Sequence, residues 1–497
     1  MSAQTTPPPD VIDASTLSLS QQDFPAHATQ IVLELQEHGY SAYIVGGGVR
    51  DLLLGKTPKD FDVATSAPPE EIKSVFGSRC RIIGRRFRLA HVRAGRQIIE
   101  VATFRGHHAQ SSDSEAQAHA PSAESADELG NRRYARRSGR NDADHLPSGV
   151  QSRDGLVLRD NVYGSIEEDA LRRDFTINAL YYDPQQHAIT DYTQGLADIQ
   201  ARTLRLIGDP QRRYREDPVR LIRAVRLSQK LELSVAPGTL DHMQELAPLL
   251  HQVPAARLFD EMLKLFLSGH ASASFAGVLK YDLLEILLPS TALAAKDQPE
   301  VLKLIQLVMH NTDARLAINK PVTPAFLFAA LLWYPVLAQH KRILEKKLPF
   351  FPALHRAMDE AIAIQAEITS IPKRFSRPMQ EIWELQFRLA RRTKQRIMKS
   401  LQHPRFRAGY DLLLLREEAG EIQTDLGPWW TEFQFATKER QSQMIAELST
   451  SGTTKGKKRK KNKSGAKAPK EESETAKGYT TPVNTNGSSN TQTHTKR

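Results

Sequence analysis

In FPAHATQIVLELQEHGY (24–40) the apolar residues recur at intervals of three and four, and the run closes at a glycine-containing turn, which predicts an amphipathic helix. The period then shortens. SAYIVGG reads as a strand entering a glycine cluster, VRDLLLGK as a short helix, KDFDVATS as a second strand and APPEEIKSVFG as another helix. CRIIGRRFRLAHVRAGRQIIEVATFRG supplies further strands with a turn at Ala94-Gly95. Mixed periods of this kind predict an α/β head with a mixed or antiparallel sheet. The pattern stops at 107–152, which is polar and carries too few apolar residues for a core, so a flexible insertion is expected. From Leu156 order returns as helix, strand, turn and strand. Beyond Tyr214 helical spacing dominates, as in DPVRLIRAVRLSQK, AARLFDEMLKLFLSG and RPMQEIWELQFRLARRTKQRIMK. The expected organisation is a disordered segment 1–20, an α/β head over 21–205, a helical neck over 206–270, an elongated all-α body over 271–445 and a disordered tail over 446–497.

Composition changes this picture in two places. No run approaches the 18 or so apolar residues of a membrane span, and the N-terminus lacks a signal-peptide pattern. Cys80 is the single cysteine, so a reducing cytoplasm is the expected compartment. The formal charge of +11 is concentrated: residues 452–497 hold twelve Lys/Arg against three Glu. Such a tail attracts phosphate-rich polymers or serves only to solubilise.

Candidate chemistry centres on KDFDVA. In a strand Asp60 and Asp62 share one face while Phe61 and Val63 turn to the core. Two close carboxylates repel unless cations neutralise them, and Mg²⁺ (Mn²⁺ as the alternative) suits such a pair together with phosphate oxygens. A solvated strand face is the bland alternative. Gly46-Gly47-Gly48, directly after an apolar strand, permits close backbone approach and favours the phosphate reading. LLGKT is not a P-loop, since Arg50 stands where glycine is required, and GGGVRD lacks the third glycine of a dinucleotide fingerprint. For a third carboxylate there are two candidates, Glu100 and Asp174; the functional choice goes to Asp174, leaving Glu100 as a neighbouring ligand or arginine partner. His91 reads as structural or as facing a ligand. Downstream, Glu216, Asp217, Arg220, Arg223 and Arg226 fall within three helical turns, where Asp217 and Arg220 offer acceptor and donor to a base edge. An ordinary salt-bridged helix is the alternative.

IVGGGVRDLLLG, PKDFDVATSA, IIEVATFRG, SIEEDALRRDFTINALYYD and YREDPVRLIRAVR together resemble the class II nucleotidyltransferases, the bacterial poly(A) polymerases and tRNA CCA-adding enzymes. IIGRRFRLAHV, KRFSRPMQEIWELQFRLARR and HPRFRAGYDLLLLREE are similar to the poly(A) polymerase branch. The resemblance implies a palm-like head with catalytic, metal-binding Asp60 and Asp62, and Asp174 as a further active-site residue. It implies that Gly46, Gly47, Arg50 and Arg173 organise the triphosphate and metal site, and that Asn178, Asp217 and Arg220 recognise the nucleotide. The expected reaction is template-independent addition of AMP from ATP to the 3′ ends of mRNA and small RNAs by a monomer. RNA-decay proteins are candidate partners. CCA addition to tRNA is the nearest rival, and a non-catalytic RNA-binding protein the rival from another class.

Overall fold

The computed structural model describes residues 8–84, 88–106, 149–151, 157–160 and 162–453. Six strands come before the insertion: β1 (Asp10–Asp13), β2 (Ala42–Val45), β3 (Asp62–Thr65), β4 (Cys80–Ile83), β5 (Leu89–Ala94) and β6 (Gln97–Thr103). A separate antiparallel ribbon, β7 (Gly149–Gln151) with β8 (Val157–Asp160), precedes β9 (Leu180–Asp183) and β10 (Ala188–Asp191). The main sheet runs β1-β10-β9-β2-β3-β6-β5-β4. Its neighbours are antiparallel except β3 and β6, which run parallel with Val63 beside Val101. The mixed sheet expected from the alternating periods is therefore present.

Helices α1 (Ala26–Glu37) and α3 (Pro69–Phe76) bury Ile31, Val32 and Leu35, and Ile72 and Phe76. These residues join Ile44, Val63, Val92 and Val101 in one core. The opposite side of the sheet carries a smaller core of Val45, Ala64, Phe104, Ala170, Tyr181 and Ile207. Between β2 and β3 lies the short helix α2 (Gly47–Leu53), and before β9 lies α4 (Ile166–Arg172), opened by a capping box at Ser165.

Two segments depart from expectation. Residues 8–20 are ordered: β1 forms the sheet edge with Asp10 opposite Asp191, and Ala14 is fully buried. The partner strand lies some 180 residues away, beyond the reach of local composition. Most of 107–152 and the tail beyond Thr453 lie outside the described residues. A helix, Lys438–Thr453, crosses the expected start of the tail.

After α5 (Gly195–Gln200), α6 (Pro210–Glu216) and α7 (Val219–Leu231) form the neck. The single helix expected through REDPVRLIRAVR is broken at Asp217, which is extended (φ −151°, ψ 92°) because Pro218 disfavours helical geometry in the residue before it. Two short helices, α8 (Pro237–Leu240) and α9 (Met243–Leu246), lead to α10 (Ala255–Phe266). The helices that follow are held by buried aromatics: Trp383 is fully buried and donates to the Ala329 carbonyl at 2.8 Å. Arg391 and Arg392 are half-buried against Phe350, Phe351 and Trp429. By contacts the chain divides into a compact unit Met1–Ala436 and a second, Thr437–Arg497. Among the described residues no helix is long and apolar enough to cross a membrane.

Candidate active site

The site starts where β2 ends. Gly46 has φ +76°, a conformation that glycine adopts without strain, and it turns the chain from β2 into α2. Val45 pairs with Asp62, so the turn and the first residue of β3 face each other. A Cβ on Gly48 would stand 2.6 Å from Phe61 Cδ1 and 3.1 Å from the Asp60 carbonyl oxygen. The bare glycine lets the Asp60–Phe61 segment lie against α2. Replacing Gly48 with Ala is therefore expected to cost roughly 1–3 kcal/mol by overpacking. In the reaction that the sequence resemblance implies, it is also expected to lower the rate about 10²-fold by displacing Asp60. Urea denaturation and initial rates of nucleotide incorporation check both.

Asp60 sits just before the strand and Asp62 opens it; both are exposed. The expected alternation holds for their neighbours, since Val63 is fully buried and Phe61 packs on the core. Because Val63 lies beside Val101, Asp62 and Glu100, one residue earlier on each strand, lie side by side. Protein crowds the Asp62 carboxyl although its surface is open to water. Burial, Glu100 and Asp60 push its pKa up to about 6, and Arg173 counteracts them. Glu100 also approaches His91 Nε2 at 3.4 Å.

Asp174 belongs to a different cluster. Its Oδ1 accepts from the Phe175 amide at 2.8 Å and from Asn178 Nδ2 at 2.9 Å, while Oδ2 lies 2.7 Å from Arg223. Burial opposes its ionisation, but Arg223, Asn178 and the Phe175 amide outweigh that and hold its pKa down at about 2. Arg50, only 6% exposed, bridges Asp51 (2.5 Å) and Asn178 Oδ1 (2.6 Å), so its guanidinium positions Asn178. Arg173 binds Asp169 and the Tyr181 hydroxyl at 2.9 Å each and stands 3.6 Å from where a Gly46 Cβ would be. Gly47 faces the Arg50 guanidinium in the same way at 3.4 Å. The structure thus joins Gly46, Gly47, Arg50, Arg173, Asp174 and Asn178 in one network and puts Glu100, rather than Asp174, beside Asp62.

In the neck Asp217 is held by a two-pronged pair with Arg257 of α10 (2.8 and 2.6 Å). Arg220 donates to the Arg213 carbonyl at 2.6 Å and lies 3.4 Å from Glu216. Burial and Arg220 lower the pKa of Arg213 to about 10; Arg213 is tied to Glu216 and to the carbonyls of Arg172 and Arg173. This arginine links the neck to the head. Arg257, Arg213 and Asp169 were not singled out by the sequence pattern. The i,i+4 spacing of Asp169 and Arg173 and the i,i+3 spacing of Arg213 and Glu216 were the local hints of these contacts.

Comparison with known proteins bears on this arrangement. Residues 42–205 match the poly A polymerase head domain, 232–294 the probable RNA and SrmB-binding site of polymerase A, and 346–464 the polymerase A arginine-rich C-terminus. The chain is 42% identical over 443 residues to poly(A) polymerase I of Haemophilus influenzae, covering 88% of this chain and 91% of that one. Poly(A) polymerase I of Escherichia coli O157:H7 is 41% identical over 444 residues, 88% of each. The chain belongs to the bacterial poly(A) polymerase family. Template-independent adenylyl transfer to RNA is accordingly its activity. The CCA-adding enzyme of Bacillus licheniformis is more distant, 33% identical over 264 residues, 52% of this chain and 56% of that one. Among solved structures, a CCA-adding enzyme in an apo form aligns with TM-score 0.51 at 16% identity over 89% of this chain and 99% of that one, a likeness of fold.

Proposed function

We propose that this polymerase adds AMP from ATP to RNA 3′-hydroxyl ends, releasing pyrophosphate, in the cleft where Asp60, Asp62 and Glu100 meet the Gly46–Gly48 turn. One observation carries the reading: the parallel pairing of β3 with β6 sets Asp62 beside Glu100, two residues after Asp60, so like charges crowd the strand entrance at the glycine turn. That arrangement is costly without cations. The donors are all carboxylate oxygens, and among the described residues no three His, Cys, Asp or Glu side chains converge to hold a metal alone. This suits Mg²⁺, or Mn²⁺, which completes its shell with phosphate oxygens and water. When bound, such ions supply Lewis-acid activation of the 3′-hydroxyl and charge neutralisation at the departing pyrophosphate.

The remaining residues bind and orient. Arg173 sets a positive charge beside the Gly46 turn, and Arg50 fixes Asn178. Asp174, held by Arg223, Asn178 and the Phe175 amide, anchors this cluster behind the glycine turn. Asp217 and Arg220, locked by Arg257 and by Arg213 with Glu216, form a rigid acceptor–donor pair that fits the amine and ring nitrogen of adenine. The enzyme acts as a cytoplasmic monomer on mRNA and small RNA ends, with RNA-decay proteins as partners.

The test is primer extension with Mg²⁺, giving each nucleoside triphosphate singly and then mixed. The RNAs are an unstructured oligomer and a tRNA lacking its terminal CCA. Long ladders on the oligomer with ATP alone are expected. Addition confined to the tRNA, stopping after two cytidylates and one adenylate, would overturn the reading.

A further inference from the structure

A cavity of about 320 Å³ opens in the helical body, and none of the residues assigned above to the catalytic cleft lines it. Its walls include Arg315, Arg374, Phe375, Arg405, Arg407 and Asp411, over a floor of proline and aliphatic side chains. The volume falls in the range of small-ligand sites. Arg374 stands 4.8 Å over the Phe375 ring, which itself stacks on Phe259 at 5.9 Å, so the exposed guanidinium is the outer member of the stack. Asp411, its side chain 17% exposed, is paired with Arg407 at 2.9 Å and faces Arg315 at 3.9 Å. Burial pushes its carboxyl up while Arg407 and Arg315 oppose that. Arg405 is also paired with Glu381 at 3.4 Å, so four arginines against two carboxylates leave the cavity net positive. A stacking surface, one acceptor, several donors and a cationic rim are what an unpaired nucleotide requires.

The cavity and the catalytic cleft belong to the same compact unit. Helix Pro299–Ala317 contributes Arg315 to the cavity, and two residues earlier Asp313 accepts the amides of Ala271 and Ser272 at 2.6 and 2.9 Å. Adjacent His270 lies in the fields of Asp313, Lys56 and Lys230. Lys56 donates to the Lys230 carbonyl at 3.4 Å. Lys230 in turn reaches Asp51 at 3.9 Å and feels the charge of Asp60.

We propose that the cavity is an upstream RNA subsite: it takes one unpaired nucleotide of the primer several positions behind the 3′ end. The base stacks on the Arg374 guanidinium, and the phosphate lies among Arg315, Arg405 and Arg407. Asp411 supplies the acceptor that an exocyclic amine needs, so adenine is preferred to uracil. The subsite deepens the adenylyl-transfer reading and rests on it.

The test uses the full chain with Arg374 and Arg405, both exposed, replaced by Ala together. Binding of 5′-labelled oligo(A) from about 4 to about 20 nucleotides is followed by fluorescence anisotropy at fixed salt. Extension of the same primers is measured in parallel. Wild type should gain affinity in a step once the primer is long enough to reach the cavity. The double variant should lose that step, about tenfold for the longest primers, with the shortest primers and kcat unchanged. A single abasic site moved along the longest primer should weaken wild type at one position and the variant at none. Asp411→Asn should narrow the preference for oligo(A) over oligo(U) without removing the length step. Equal weakening at every length would reduce the cavity to diffuse charge. No change at any length would overturn the RNA assignment in favour of a protein segment. Because binding is read without turnover, failure of wild type to adenylate would sink the activity reading separately.

Discussion

Asp62→Asn is expected to remove adenylyl transfer by about 10³-fold or more, a loss of roughly 4 kcal/mol of transition-state stabilisation. The metal-free variant is expected to melt at the wild-type temperature or slightly above it. Both effects have one cause. Asp62 opens β3 beside Glu100 on β6 and two residues after Asp60, so acids of like charge stand close at the strand entrance. Without a cation they repel, and removing one charge relieves the folded state. In the proposed reaction the same carboxylate oxygens would hold the ions that neutralise the triphosphate. Asp60→Ala and Glu100→Gln should behave in the same way, losing rate without losing stability. Initial rates with oligo(A) and ATP, beside thermal melts in chelator, check the pairing of effects. Near-normal incorporation by any of the three would contradict it.

Asp174→Ala is expected to act through the fold. Its carboxylate is 9% exposed and holds Arg223, Asn178 and the Phe175 amide. Removing one partner of a buried ion pair leaves the other uncompensated, at roughly 3–5 kcal/mol. Arg223 is 35% exposed at its side chain, so water recovers part of that cost and about 3 kcal/mol is expected. Transfer falls as well, because Asn178 and through it Arg50 lose their anchor. The pH dependence follows from the lowered pKa. Stability from the ionised carboxylate is present above its ordinary value of 3.8 and fades as pH falls toward about 2. Asp174→Asn should flatten that part of the acid limb. Urea denaturation gives the answer: an Asp174→Ala protein as stable as wild type but inactive would make Asp174 a direct participant in catalysis.

These two predictions separate the acids that sequence spacing left as alternatives. Where a signal is local, the chain was readable. The period of three and four gave α1, the glycine cluster marked the end of β2, and alternation put Val63 in the core. The placement of Asp60 and Asp62 at one strand entrance followed from a two-residue interval, although the strand starts only at Asp62. Pairings between distant segments left no such trace. Glu100 is beside Asp62 because β6 runs parallel to β3, and no residue pattern encodes which strands become neighbours. β1 was hidden for the same reason. Arg257 lies 40 residues from Asp217 on a helix that reads as an ordinary amphipathic segment. The break at Asp217 was legible in principle, since Pro218 follows it, but the regular arginine spacing pointed to one continuous helix.

Mn²⁺ binding followed by electron paramagnetic resonance, with a non-hydrolysable ATP analogue present, tests the central claim most directly. The wild-type chain is predicted to hold two ions per protein–nucleotide complex, and the Asp62→Asn chain to lose at least one of them while still binding the analogue. Equal Mn²⁺ stoichiometry and affinity in the two proteins would contradict the assignment of these carboxylates as the metal site.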